Sequence, residues 1–160
     1  MISDCLINLL TVEVKYVELD ELYAQSDFIS LHAPATEGTH HMINKESIAK
    51  MKKGTFIINT SRGVLINTAD LVEGLKSGQV GAAGLDVYEG ESAYFFKDNS
   101  DDTIADELLR ELLSLPTVLV TGHQAFLTYE AINNIAATTV GNIRDWNSGK
   151  KQSNHPNTIY

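Results

Sequence analysis

The 160-residue chain has little with which to work by covalent cross-linking or by positive surface charge. Its one cysteine, Cys5, excludes an internal disulfide framework and suits a reducing setting, the cytoplasm. Cations are scarce: 12 Lys and Arg stand against 21 Asp and Glu, for a formal net charge of −9. That balance argues against nucleic acid and against an anionic membrane as partner, since both need clustered cations. No apolar run approaches the roughly 20 residues that span a bilayer. Residues 1–10 lack a basic leading region, and Asp4 and Asn8 break their apolar run, so they do not read as a secretory signal. The Asn59-Thr60-Ser61 sequon is then idle. The eleven glycines matter most, because no two of them differ by two positions. G-x-G-x-x-G, the turn that brings backbone amides at a helix start onto a pyrophosphate, is therefore absent.

What is present alternates. Val14–Val17, 27–32, 55–60, 80–87 and 117–121 read as strands. The 55–60 run (TFIINT) has apolar residues in succession, which predicts a strand covered on both faces. The 80–87 run (VGAAGLDV) is thinned by small residues, which predicts close packing against it. Helical patterns cover 19–25, a stretch capped by Asn44, a stretch from Asn67 to a stop at Gly78, 104–115, and a long helix from Tyr129 to about Ser148 capped by Thr128. Strands alternating with helices indicate βαβ units, hence an α/β fold with a parallel sheet. Ligands in such sheets sit beyond the carboxyl ends of the strands.

The residues at those ends carry chemistry. Arg62 follows one strand run, Asp86 and Glu91 the next, and His123 the last. A carboxylate beside an imidazole stabilises the imidazolium, so a Glu91–His123 contact would make an acid/base catalyst near neutral pH. A guanidinium offers a planar fork to a carboxylate and stabilises charge on a carbonyl oxygen. An acid, its orienter and an anion clamp are what reduction of a 2-keto acid requires, with the hydride supplied by a cofactor.

The segments INTSRGVLI (58–66), GAAGLDVYEGE (81–91) and VTGHQAFLT (120–128) resemble the family of NAD-dependent D-isomer-specific 2-hydroxyacid dehydrogenases. Their wording, with the acidic insertion YFFKDNSDD, is most similar to the fermentative D-lactate dehydrogenase branch, and the resemblance runs from about Lys15 to Asn147. It implies a truncated, Rossmann-like doubly wound parallel sheet, with a C-terminal helix leading towards a substrate domain outside these residues. The divisions it implies are 1–122 as a partial NAD-binding domain, 123–148 as the histidine loop and C-terminal helix, and 149–160 as a flexible tail.

The same resemblance implies NAD as cofactor, no metal, and pyruvate/D-lactate as the small-molecule pair; it is compatible with a homo-oligomer. Arg62 would bind the substrate's carboxylate and carbonyl, His123 would exchange the proton, and Glu91 would orient His123. Asp86 would hold the nicotinamide amide side, while Ala33, Pro34, Thr60 and Ser61 line the cofactor and Thr39 adds a contact. Phe126 would press on a small substrate side chain. Asp4, ending a short apolar run, is similar to the acid that binds the adenosine ribose and disfavours NADP. A glycine fingerprint about 20 residues before Asp4 would fall ahead of Met1. On that expectation the chain alone binds NAD weakly and turns over little. Two alternatives stay open: an incompetent or NAD-sensing interaction module of the same family, and a dehydrogenase for another 2-hydroxy acid.

Other residues read as structural. Adjacent His40 and His41 should point apart, with no partner at metal-ligand spacing. His32 reads as a packed residue near the cofactor. The Ile132, Ile135, Ala136, Thr139 and Ile143 face of the last helix reads as core or domain-interface packing. Nine acids between Asp86 and Glu111 face only Lys97 and Arg110, and those other than Asp86 and Glu91 read as a solvated loop.

Overall fold

Local signals set where each element starts. Asn44 precedes α2 (Lys45–Lys50), and its side chain accepts from the amides of Glu46 and Ser47 while Ser47 returns a bond to Asn44. This reciprocal cap stabilises a two-turn helix that propensity alone would leave marginal. Asn67 accepts from the Asp70 amide to open α3 (Thr68–Ser77), and Gly78 ends it at φ 71°. Asp106 caps α4 (Glu107–Ser114) through the Leu109 amide. This helix begins three residues later than its apolar periodicity starts, because the cap and not the pattern fixes the first turn.

The computed structural model describes residues 15–95, 98 and 103–149. Four strands, β1 (Phe28–Leu31), β2 (Thr55–Asn59), β3 (Val80–Leu85) and β4 (Val118–Val120), form one parallel sheet in the order β1-β2-β3-β4. Phe28 to Leu31 stand opposite Phe56 to Asn59, Phe56 to Asn59 opposite Ala82 to Leu85, and Ala83 to Leu85 opposite Val118 to Val120. Because every strand runs the same way, their carboxyl ends share one edge.

The core lies between one face of this sheet and the helices. Ile29, Leu31, Ile57, Val80, Ala83 and Leu85 meet Ile48, Leu71, Val72, Leu75, Leu109 and Leu112. Tyr23 of α1 (Leu19–Gln25) joins them, with its hydroxyl on the Met42 carbonyl at 3.0 Å. Burial pushes the Tyr23 hydroxyl's pKa up, with help from Asp20.

Three expectations are corrected. Val14 lies outside the described residues, and the rest of the Val14–Val17 run forms no strand: residues 15–18 pair with none of the described strands. Among the described residues, the β2 strand is not covered on both faces. Its burial alternates, leaving Phe56 42% and Ile58 38% exposed beside Phe28 at 66% and Leu119 at 67%. Apolar succession shows that a strand can be buried twice, and the covering partner lies outside any single strand's sequence. In β3, Gly81 is closely approached, since a Cβ there would stand 2.5 Å from the Gly54 carbonyl oxygen, whereas nothing lies within 4 Å at Gly84.

The described residues fall into two compact units, one ending at His123 and one beginning at Gln124. The second holds a turn closed by the Leu127 amide on the Gln124 carbonyl, then α5 (Tyr129–Asn147), capped by the Thr128 hydroxyl. None of α5 is buried, so the Ile132, Ile135 and Ile143 stripe is not part of this chain's described core. Asp4 lies outside the described residues, as does the tail beyond Gly149.

Candidate active site

Four loops leave the carboxyl edge of the sheet. After β1, His32 is exposed and pairs with the Ser30 hydroxyl at 2.8 Å, so it is not the packed residue expected. It falls two residues beyond Ser30 on the uncovered side of the strand. Ala33 and Pro34 follow. The Ala33 carbonyl accepts from the Ser61 hydroxyl at 2.6 Å, tying the β1 loop to the β2 loop. The Thr39 hydroxyl donates to the Pro34 carbonyl at 2.6 Å and accepts from the Thr36 amide, so it closes its own turn.

After β2, buried Asn59 organises the next bend. Its side chain accepts from the Ser61 amide and donates to the Arg62 carbonyl. Thr60 and Arg62 are exposed, and the Arg62 guanidinium donates to the Ser61 carbonyl at 2.7 Å. Gly63 is required by contact. A Cβ on it would lie 2.2 Å from the Tyr88 carbonyl carbon, so only glycine lets the Arg62 loop lie against the Tyr88–Glu89 peptide.

After β3, Asp86 is buried, and its carboxylate accepts from the Thr121 hydroxyl at 2.5 Å. Its carbonyl accepts from the His123 amide at 2.8 Å. His123 itself adopts φ 54°, a left-handed conformation that costs a residue with a Cβ about 1 kcal/mol or more. That bend, tied down through Asp86, delivers the imidazole to Glu91. His123 Nδ1 stands 2.9 Å from Glu91 Oε1, with the two side chains 28% and 19% exposed. The other carboxylate oxygen, Oε2, accepts from the Tyr88 amide at 3.0 Å. Two further bonds, from the Tyr88 hydroxyl to Asp106 and from the Asp106 amide to the Tyr94 hydroxyl, join Asp106 to both tyrosines. Burial first, and then the Asp106 carboxylate, push the Tyr88 phenol's pKa up, so it stays protonated as a donor.

The structure therefore brings Glu91 and His123 together. It sets Arg62 on the adjoining loop through Gly63 and Tyr88, while the guanidinium contacts neither Glu91 nor His123. Phe126 belongs to the second unit and is half-exposed.

One acid was missed. Glu89 reads from sequence as a solvated surface carboxylate, yet it accepts from the Thr68 amide at 2.9 Å, the Thr68 hydroxyl at 2.6 Å and His41 Nε2 at 2.6 Å. Burial acts to raise its pKa, but the bonds from Thr68 and His41 outweigh that and hold it below the usual carboxylate range. Nor do His40 and His41 point apart. Their rings lie 3.8 Å from each other because His41 turns at φ 50°. No local pattern announces these contacts, since Glu89 and His41 are 48 positions apart. Among the described residues no cluster of His, Cys, Asp and Glu could hold a metal.

A parallel α/β sheet with an imidazole–carboxylate pair and a guanidinium at its carboxyl edge places the chain among nucleotide-fold proteins, whose ligands sit at that edge. Residues 7–125 match the profile of the D-isomer specific 2-hydroxyacid dehydrogenase, NAD binding domain. The chain belongs to this family, and its cofactor is NAD. It is 53% identical over 132 residues to 2-hydroxyacid dehydrogenase A of Aspergillus oryzae, a match covering 82% of this chain and 38% of that one. It is 54% identical over 136 residues to a 2-hydroxyacid dehydrogenase homolog of Haemophilus influenzae, covering 85% and 41%. A crystal structure of a D-lactate dehydrogenase from Treponema pallidum is similar at a TM-score of 0.80 and 40% identity, over 84% of this chain and 40% of that chain. The chain thus spans about two-fifths of the length of the curated relatives it matches.

Proposed function

We propose that this chain carries the proton-transfer and carboxylate-binding groups for NAD-dependent interconversion of D-lactate and pyruvate. The observation that supports it is the 2.9 Å contact between His123 Nδ1 and Glu91 Oε1 beside the loop of Arg62. With Nδ1–H donated to the carboxylate, the proton exchanged with substrate is the one on Nε2. His123 gives it to the carbonyl oxygen during reduction and takes it from the hydroxyl during oxidation. Glu91 fixes the ring and stabilises the imidazolium. Arg62 turns from the Ser61 carbonyl to the substrate carboxylate, a charge-assisted and bidentate exchange.

The cofactor's nicotinamide supplies or accepts the hydride. Ala33, Pro34, Thr60 and Ser61 offer it an uncharged, small-residue edge, already joined by the Ser61–Ala33 bond. This donor set fits the nicotinamide end; for the pyrophosphate, the 160 residues contain no glycine fingerprint. We assign Asp86, held by Thr121 and bonded to the His123 amide, to the nicotinamide side, Thr39 to the turn that supports Pro34, and Asp4 to the ribose. The small-molecule pair is the partner of the site in a cytoplasmic setting, and none of the described helices is long and apolar enough to cross a membrane.

The test is loss of NADH absorbance with pyruvate, followed by assignment of the lactate enantiomer formed. D-Lactate formation that falls in Arg62→Gln through a raised KM supports the reading. A second reading is an incompetent or NAD-sensing interaction module of the same family. It predicts NADH binding by calorimetry with no lactate from wild type.

A further inference from the structure

The bonds around Glu89 carry an inference about the neighbouring pair. Glu89 occupies the Tyr88–Glu91 turn, whose two ends are joined by the Glu91 amide on the Tyr88 carbonyl at 3.2 Å. Glu91 leaves this turn towards His123, and Glu89 leaves it in the direction of α3 and His41. The Glu89 carboxylate accepts three bonds there, two from Thr68 at the first turn of α3 and one from His41. His41 is fixed in turn: its amide donates to the Val64 carbonyl at 2.8 Å, and its carbonyl accepts from the Asn44 side chain at 2.9 Å. Val64 and Gly63 belong to the short 3-10 turn just after Arg62. The Tyr88–Glu89 peptide lies against Gly63 closely enough to exclude a Cβ.

We propose that Glu89 and His41 are positioning residues for the Glu91–His123 pair, with Thr68 as the anchor of Glu89. The clamp joins the loop that carries Arg62, the start of α3 and the turn that carries Glu91, so that guanidinium and acid/base pair keep a common register. An isolated turn of four residues would let the Glu91 carboxylate swing. A misplacement of about 1 Å at a reacting group costs on the order of 100-fold in rate. The proposal rests on the acid/base reading of His123 and Glu91 given above.

Its test reads geometry instead of turnover. A ring N–H donated to a carboxylate gives a downfield proton resonance, so the folded chain should show one from His123 and one from His41, assigned with Glu91→Gln and Glu89→Gln. Glu91→Gln should remove the His123 signal alone. Glu89→Gln should remove the His41 signal and also broaden or shift that of His123, with the circular dichroism spectrum retained. Thr68→Val, which deletes one donor to Glu89 at constant volume, should shift both signals, and Thr68→Ser should restore them. An unchanged His123 resonance in a folded Glu89→Gln protein overturns the proposal. If Glu89→Gln does not fold, an unchanged His123 resonance in Thr68→Val does so. If Glu91→Gln leaves the His123 signal in place, the acid/base pairing itself has failed, which is a separate result.

Discussion

Two carboxylate–imidazole pairs have their carboxylates within three residues of chain, and they differ in the donors that hold them. Glu91 meets His123 at 2.9 Å and has one backbone donor of its own, the Tyr88 amide. Glu89 meets His41 at 2.6 Å and has two further donors from Thr68. A carboxylate saturated by fixed donors is locked in its ionised form and serves as an anchor. A carboxylate with fewer fixed partners can respond as its imidazole gains and loses a proton. Chemical likeness alone does not separate them; the number and rigidity of the donors does.

The largest way to break the comparison is His123→Ala. Where wild type reduces pyruvate, steady-state NADH oxidation should drop by about 10²–10⁴-fold, the usual worth of a positioned general acid. Thermal unfolding should move little, since His123 packs in no core. Next comes Gly63→Ala. The new Cβ would meet the Tyr88 carbonyl carbon at 2.2 Å, so the Arg62 loop and the Tyr88–Glu91 turn must separate. A rate loss of roughly 100-fold is expected from such displacement, and normal kinetics in the variant would mean the two loops move independently.

A smaller effect distinguishes the anchor by pH. Glu89 is held below its ordinary 4.5, so its contribution to stability is present above that value and is lost as pH falls through the depressed one. Urea melts should therefore show Glu89→Gln less stable than wild type at pH 7, with the gap closing below pH 4.5. A constant gap would place its contribution in packing. The smallest effect is Asn44→Ala, which removes both the α2 cap and the bond to the His41 carbonyl. It should cost about 1 kcal/mol in the same melts.

Much of this was legible in one dimension. Asn44, Asn67 and Thr128 were readable as caps because a cap is a local bond between residues two or three apart. Arg62, Glu91 and His123 were readable because each follows an apolar run, and a parallel sheet collects such positions at one edge. Glu89 was not, since a surface acid and an anchored one look alike until Thr68 and His41 arrive from other elements. The exposed flank of β2 was misread for a related reason: what covers a face is a property of the assembled layers.

That uncovered flank governs how the molecule behaves in bulk. Phe28 and Phe56 meet edge to face at 5.0 Å on it, with Ile58 and Leu119 nearby, which makes a greasy plate on an anionic particle. Mutual repulsion from a net charge of −9 keeps such plates apart at neutral pH. Near the isoelectric point of about 4.9, or in concentrated salt, that repulsion fades and the plates can stack. Colloidal stability of this chain is thus set by its acids, and light scattering should rise as pH approaches 4.9.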